Sequence, residues 1–146
     1  MKLFQIEEPD GSPADPGAPG AAVGIDISGT RAEVAIAVGG NAAVLPDRDG
    51  FEVDLTVPLA TAPISEWQAL LERTRLRAER ALARPVTHAV VVADGPVVGH
   101  LQGAAAEAEL VLLRIVTPDR LPVSEKRVLA AAVMAEDLAP RIAAPE

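Results

Sequence analysis

One short string brings a carboxylate, two hydroxyls and a guanidinium together: Gly24-Ile25-Asp26-Ile27-Ser28-Gly29-Thr30-Arg31. A bend of small residues between two apolar runs lets backbone N–H groups come close to a phosphate, and the Thr30 hydroxyl adds a donor. Asp26, just before the bend, suits a hydrated Mg²⁺ or an attacking water. The same string also describes an ordinary Ser-Gly-Thr hairpin after a buried strand. Asp94 follows a second apolar run, Ala89–Ala93. Two strands lying side by side would bring Asp26 and Asp94 to one sheet edge, where paired carboxylates bind two metal ions. Asp94-Gly95 also reads simply as a turn. His88 and His100 have no evident acid or nucleophile to work with, and structural roles are expected for both.

Composition narrows the chemistry further. The chain has 146 residues, no Cys and two His, so thiol nucleophiles, disulfides and His-rich metal sites are excluded. Lys and Arg total 13 against 21 Asp and Glu, a formal charge of -8. That balance argues against nucleic acid or an anionic membrane as the main partner. No apolar run approaches the ~18 residues of a membrane span or resembles a secretory signal, and a cytoplasmic setting is expected. Aromatics make up only 2% against 49% hydrophobic residues, so the core is aliphatic, built from Val, Leu, Ile and Ala.

The elements that must hold these residues follow from the apolar pattern. Residues 1–20 form a Pro/Gly-rich arm without hydrophobic period, expected to be disordered, and 139–146 form a tail. Between them, 21–138 reads as one domain. Ala21–Ile27, Ala32–Val38 and Ala42–Leu45 are strands, with Gly39-Gly40-Asn41 as a tight turn. Phe51–Val57 alternates apolar and polar residues, as a half-buried strand does. Ser65, with Gln68 three residues on, fits a capping box at a helix start. That helix turns Trp67, Leu70, Leu71, Ala78, Ala81 and Leu82 inward. Its Arg73, Arg77, Arg80 and Arg84 are interleaved with Glu66, Glu72 and Glu79, which implies a solvated, ion-paired face. Ala89–Ala93 has the continuous apolar character of a strand buried on both faces. An Ala-rich helix over Gly99–Glu109, an apolar strand Val111–Val116 and a helix over Leu121–Leu138 complete the chain. The order is an antiparallel three-strand meander followed by βα crossovers. It predicts an α/β fold with a mixed five-stranded sheet and flanking helices, the ribonuclease H-like architecture that also forms the core of actin-like ATPase lobes.

Several strings resemble one family within that superfamily, the seventy-kilodalton heat-shock (DnaK-type) chaperones. Val23–Val38 is similar to their first phosphate loop, and Gly39–Gly50 looks like their second hairpin. Ile64-Ser65 through Leu82, then Pro85–Val91, resembles the helix and strand that follow, and Gly103–Ile115 a later helix and strand. The resemblance covers roughly residues 22–120. It implies an ATP- or ADP-binding lobe with Mg²⁺, in which Asp26 is the catalytic and metal-facing carboxylate and Ser28, Gly29, Thr30 and Arg31 face the phosphates. The chain departs from the family where Ser28-Gly29-Thr30 replaces gly-thr-thr, where Thr117 stands at the hydrolysis-linked Glu, and where the four residues between Leu59 and Ile64 replace the subdomain carrying the catalytic Lys. These departures imply weak or partner-completed nucleotide binding and little ATPase activity alone, with a second protein lobe or a chaperone client as partner. Two alternatives share the fold: a non-enzymatic interaction module, and a metal-dependent nuclease of the YqgF type using Asp26 and Asp94, a family that the Thr117–Leu121 segment also resembles.

Overall fold

The computed structural model describes residues 20–45, 55–122 and 126–139. The arm, Asp47–Gly50, most of Phe51–Val57 and most of the tail lie outside the described residues. Five strands form one sheet: β1 (Ala21–Asp26), β2 (Glu33–Val38), β3 (Asn41–Val44), β4 (Val86–Val92) and β5 (Val111–Val116), in spatial order β3-β2-β1-β4-β5. β1, β2 and β3 run antiparallel in sequence, whereas β4 and β5 lie parallel to β1. The meander closes through Gly39 and Gly40 at φ of 60° and 84°. Two successive positive φ values are what a two-residue hairpin of matching twist requires, and glycine adopts them without a Cβ penalty.

Three helices cover the two faces: α1 (Ile64–Leu82), α2 (Val98–Ala105) and α3 (Arg127–Leu138). Alternation along the strands sorts the side chains. Val23, Ile25, Val34, Ala89 and Val91 pack with Trp67, Leu70 and Leu71 of α1 and Leu101 of α2. On the other face Val90, Val92, Ala35 and Ala37 meet the alanines of α3. Ala89 through Ala93 are fully buried, as a central strand covered on both sides must be. β5 differs. It is an edge strand whose Val111 and Arg114 are exposed.

Backbone chemistry moves three helix boundaries from their expected positions. The capping box at Ser65 does not form, because α1 starts one residue earlier behind Pro63, and no side chain caps it. Proline's fixed φ and missing N–H suit a helix entrance; Ser65 therefore lies inside the first turn, and Gln68 donates instead to Glu72 at 3.1 Å. α2 stops at Ala105 rather than Glu109, and the chain leaves through a turn with Glu109 at φ 60°. α3 begins at Arg127, not Leu121: Pro118–Arg120 form a separate short 3-10 turn and Lys126 is extended.

The α1 surface carries ion pairing of the expected kind, through Arg75. Glu79 pairs with Arg75 at 3.1 Å and also accepts from the Val86 amide, while Glu72 is held by Gln68. Two of the three interleaved carboxylates, Glu72 and Glu79, are thus engaged, while Glu66 stands exposed beside the same cleft as Arg73. Buried Thr74 satisfies its hydroxyl on the Leu70 carbonyl one turn back, at 2.8 Å.

Candidate functional site

β1 and β4 are adjacent and parallel, so their carboxyl ends share one edge of the sheet. Asp26 lies opposite Val92, and the ladder continues through Ile27 N–H to the Val92 carbonyl at 2.9 Å. Ala93 N–H bonds the Val116 carbonyl at 3.0 Å, bringing the end of β5 to the same edge. The fold therefore lines up Asp26, exposed Asp94 and the Thr117–Asp119 turn. Ligands of open α/β sheets bind at this edge.

The bend itself stands open. Ser28 is half-buried, whereas Gly29, Thr30 and Arg31 are exposed. Asp26 Oδ1 accepts from the Ser28 amide at 2.9 Å and from the Ser28 hydroxyl at 2.6 Å, so the carboxylate ties down the start of the bend. The far side is fastened by an antiparallel bridge between Arg31 and Thr56, with Ala32 N–H on the Leu55 carbonyl and Val57 N–H on the Thr30 carbonyl. Leu55 is buried, Thr56 exposed and Val57 half-buried, which keeps the expected alternation over these three residues.

A residue absent from the sequence reading completes the arrangement. Arg127, at the start of α3, donates Nη1–H to Ser28 Oγ at 3.0 Å. The hydroxyl thus sits between a guanidinium and a carboxylate. Next to it, Lys126 pairs with Glu33 at 3.0 Å. No local string in the sequence announces Arg127: it is 99 residues from Ser28, and a helix start at Leu121 would set it nearly two turns inside the helix rather than at its entrance. The access of α3 to this edge depends on Gly24. A Cβ there would stand 2.3 Å from the Ala132 nitrogen and 2.6 Å from the Ala131 carbonyl carbon.

The chain matches no protein-family model and no curated protein. Asp26, Ser28 and Arg127 come together on the α3 side of the sheet. Thr30 and Arg31 instead line a cleft of about 390 Å³ against Arg77 of α1, so the five residues expected to act at one site divide between two faces. Asp94 shares the edge with Asp26, but no group of three or more His, Cys, Asp or Glu residues among the described residues is placed to hold a metal ion. Mg²⁺ usually takes one or two carboxylates and completes its shell with water and phosphate oxygens. Asp26 fits that role; a dedicated protein cage does not arise from the described residues.

The remaining candidates are structural. His88 Nδ1 shares a 2.6 Å hydrogen bond with the Thr87 hydroxyl. His100 meets Trp67 edge to face, ring centroids 6.1 Å apart, and Trp67 is buried as the anchor of α1. Asp119, fully exposed, is held below the usual carboxylate range, chiefly by the Thr117 side-chain hydrogen bond and then by its own backbone amide and Arg120. Among the described residues, no helix is long and apolar enough to cross a membrane.

Proposed function

We propose that the chain is one phosphate-binding lobe of the actin-like, ribonuclease H-like type, a degenerate relative of the heat-shock 70 kDa ATP-binding lobe. The observation that carries this reading is the convergence of Asp26, Ser28 and Arg127 on an open bend at the carboxyl end of β1. Strand order β3-β2-β1-β4-β5, with β2 alone antiparallel to both neighbours, supports the fold assignment.

In this reading Arg127 supplies the charge for an incoming phosphate and the exposed Gly29 amide the close approach. Asp26 would face the phosphates through a hydrated Mg²⁺. An ion bound there would offset the repulsion between Asp26 and the phosphate charge. The site is open on one side, and water is not excluded. Electrostatic stabilisation of a transferring phosphoryl group is therefore weak, and ATPase activity alone should be low. A second protein lobe closing over the bend would remove both deficits.

Calorimetric titration with ATP and Mg²⁺ tests the assignment. Binding should weaken on Asp26→Ala and on Arg127→Ala; unchanged affinity in both variants would refute the site. One observation favours an interaction module instead: Asp26 and the Ser28 amide already satisfy each other without ligand. Complete absence of nucleotide binding, with a stable protein partner whose binding survives Asp26→Ala, would select that reading.

A further inference from the structure

On the opposite face of the sheet from Asp26 and Arg127, the start of β2 and the flank of α1 enclose a cleft of about 390 Å³. Its lining carries two guanidiniums, Arg31 and Arg77, with Thr30 beside them, Ala32, Val44 and Leu45 as apolar surface, and one acid, Glu33. Among the described residues neither guanidinium has an ion pair. Among the described residues three nearby acids already have partners: Glu33, itself in the lining, pairs with Lys126, Glu79 with Arg75, and Glu72 accepts from Gln68. Among the described residues the buried Arg77 Nε–H has no hydrogen-bond partner. A desolvated donor on a charged group costs stability unless an acceptor meets it, and such donors are hydrogen-bonded in the great majority of proteins. In a chain of formal charge -8, two guanidiniums without an ion pair among the described residues, on a cleft whose one acid is held by Lys126, form a localised cationic patch.

We infer that this cleft binds a phosphate monoester carrying a small apolar body. Two guanidiniums match the double charge of a phosphate monoester and present paired N–H donors to its oxygens. Thr30 offers a hydroxyl to a further oxygen. Val44 and Leu45 give the rest of the ligand an apolar surface, and the volume lies in the range of small-molecule sites. The site is independent of the nucleotide reading, because its cationic groups stand on α1 and at the start of β2, and neither Asp26 nor Arg127 lines it.

Phenyl phosphate is the probe, titrated into the full chain and followed by calorimetry and by ¹H–¹⁵N amide shifts. Saturable binding is expected, with shifts at Thr30, Arg31 and Arg77. Arg31→Gln and Arg77→Gln should each weaken it about tenfold or more, the usual effect of losing a charge-assisted contact. Arg73→Gln, which removes the same charge from the same helix outside the cleft, should leave affinity unchanged. Benzoate, with one charge, should bind more weakly than phenyl phosphate. No saturable binding by the wild-type chain at millimolar probe would overturn the proposal. So would equal losses in all three Arg variants, which would indicate diffuse electrostatics, or tighter binding of benzoate. Each variant's circular dichroism and melting temperature should match wild type; should one Arg variant misfold, the other carries the test alone.

Discussion

Gly24→Ala should unfold the protein more easily than any other single-methyl addition in β1. Gly24 is buried in mid-strand, and α3 crosses directly over it. The added Cβ would stand 2.3 Å from the Ala132 nitrogen, 2.6 Å from the Ala131 carbonyl carbon and 2.8 Å from the Ala132 Cα. All three are main-chain atoms of a helix, so no rotamer change relieves the collision. α3 must retreat by about 1 Å to restore contact distance, which forfeits part of the dispersion energy along its alanine face. Overpacking of this kind typically costs about 1–3 kcal/mol, and an unyielding backbone neighbour puts this case at about 3 kcal/mol. The sign is diagnostic. At an unobstructed position the same substitution would stabilise by about 0.4–1 kcal/mol through the unfolded state. Urea unfolding followed by the fluorescence of Trp67, the single and buried tryptophan, measures the effect. With a slope of about 2 kcal/mol/M for a small domain, the midpoint should fall by about 1.5 M. Trimming Ala132 to Gly should not rescue it. A midpoint unchanged or raised would show that α3 does not lie where the packing argument puts it.

Gly29→Ala should leave the urea midpoint within about 0.5 kcal/mol of wild type, since nothing lies within 4 Å of a Cβ there. Glu136 holds the Gly39 and Gly40 amides at 2.6 and 2.9 Å, tying α3 to the β2–β3 turn; Glu136→Ala should cost about 1 kcal/mol and speed hydrogen exchange at those two amides selectively. Asp119 has a folded pKa below the ordinary 3.8. Its interactions therefore add stability above the unfolded pKa and lose it as pH falls from about 4 through the lower folded value. Thr117→Val removes the largest cause, and the Asp119 titration followed by NMR should move up toward 3.8; an unmoved titration would refute the assignment of that hydrogen bond.

Much of this architecture is written in local sequence. The apolar runs fix β1, β2 and β4, Gly39-Gly40 fixes the hairpin, and the full burial of Ala89–Ala93 follows from a run with no polar alternation. Helix ends were less legible, because the competing signals were close together: Ser65 has the right spacing for a cap, but Pro63 starts the helix first. The site divides in the same way. Asp26 and Ser28 are neighbours in the chain, and their contact is a local consequence of the bend. Arg127 reaches Ser28 only through the packing of α3 on Gly24, a long-range fact carried by no single motif. Likewise Arg77 reads as part of a solvated stripe until the partners of the glutamates are known.

The central claim is that the Asp26–Gly29 segment with Arg127 receives nucleotide phosphates. Amide chemical-shift mapping of the full chain with ATP and Mg²⁺ tests it most directly. The largest saturable shifts should fall on Ile27 through Gly29 and on Arg127, and Asp26→Ala should diminish them. Shifts confined to other surfaces, or a spectrum unaltered at saturating nucleotide, would contradict it.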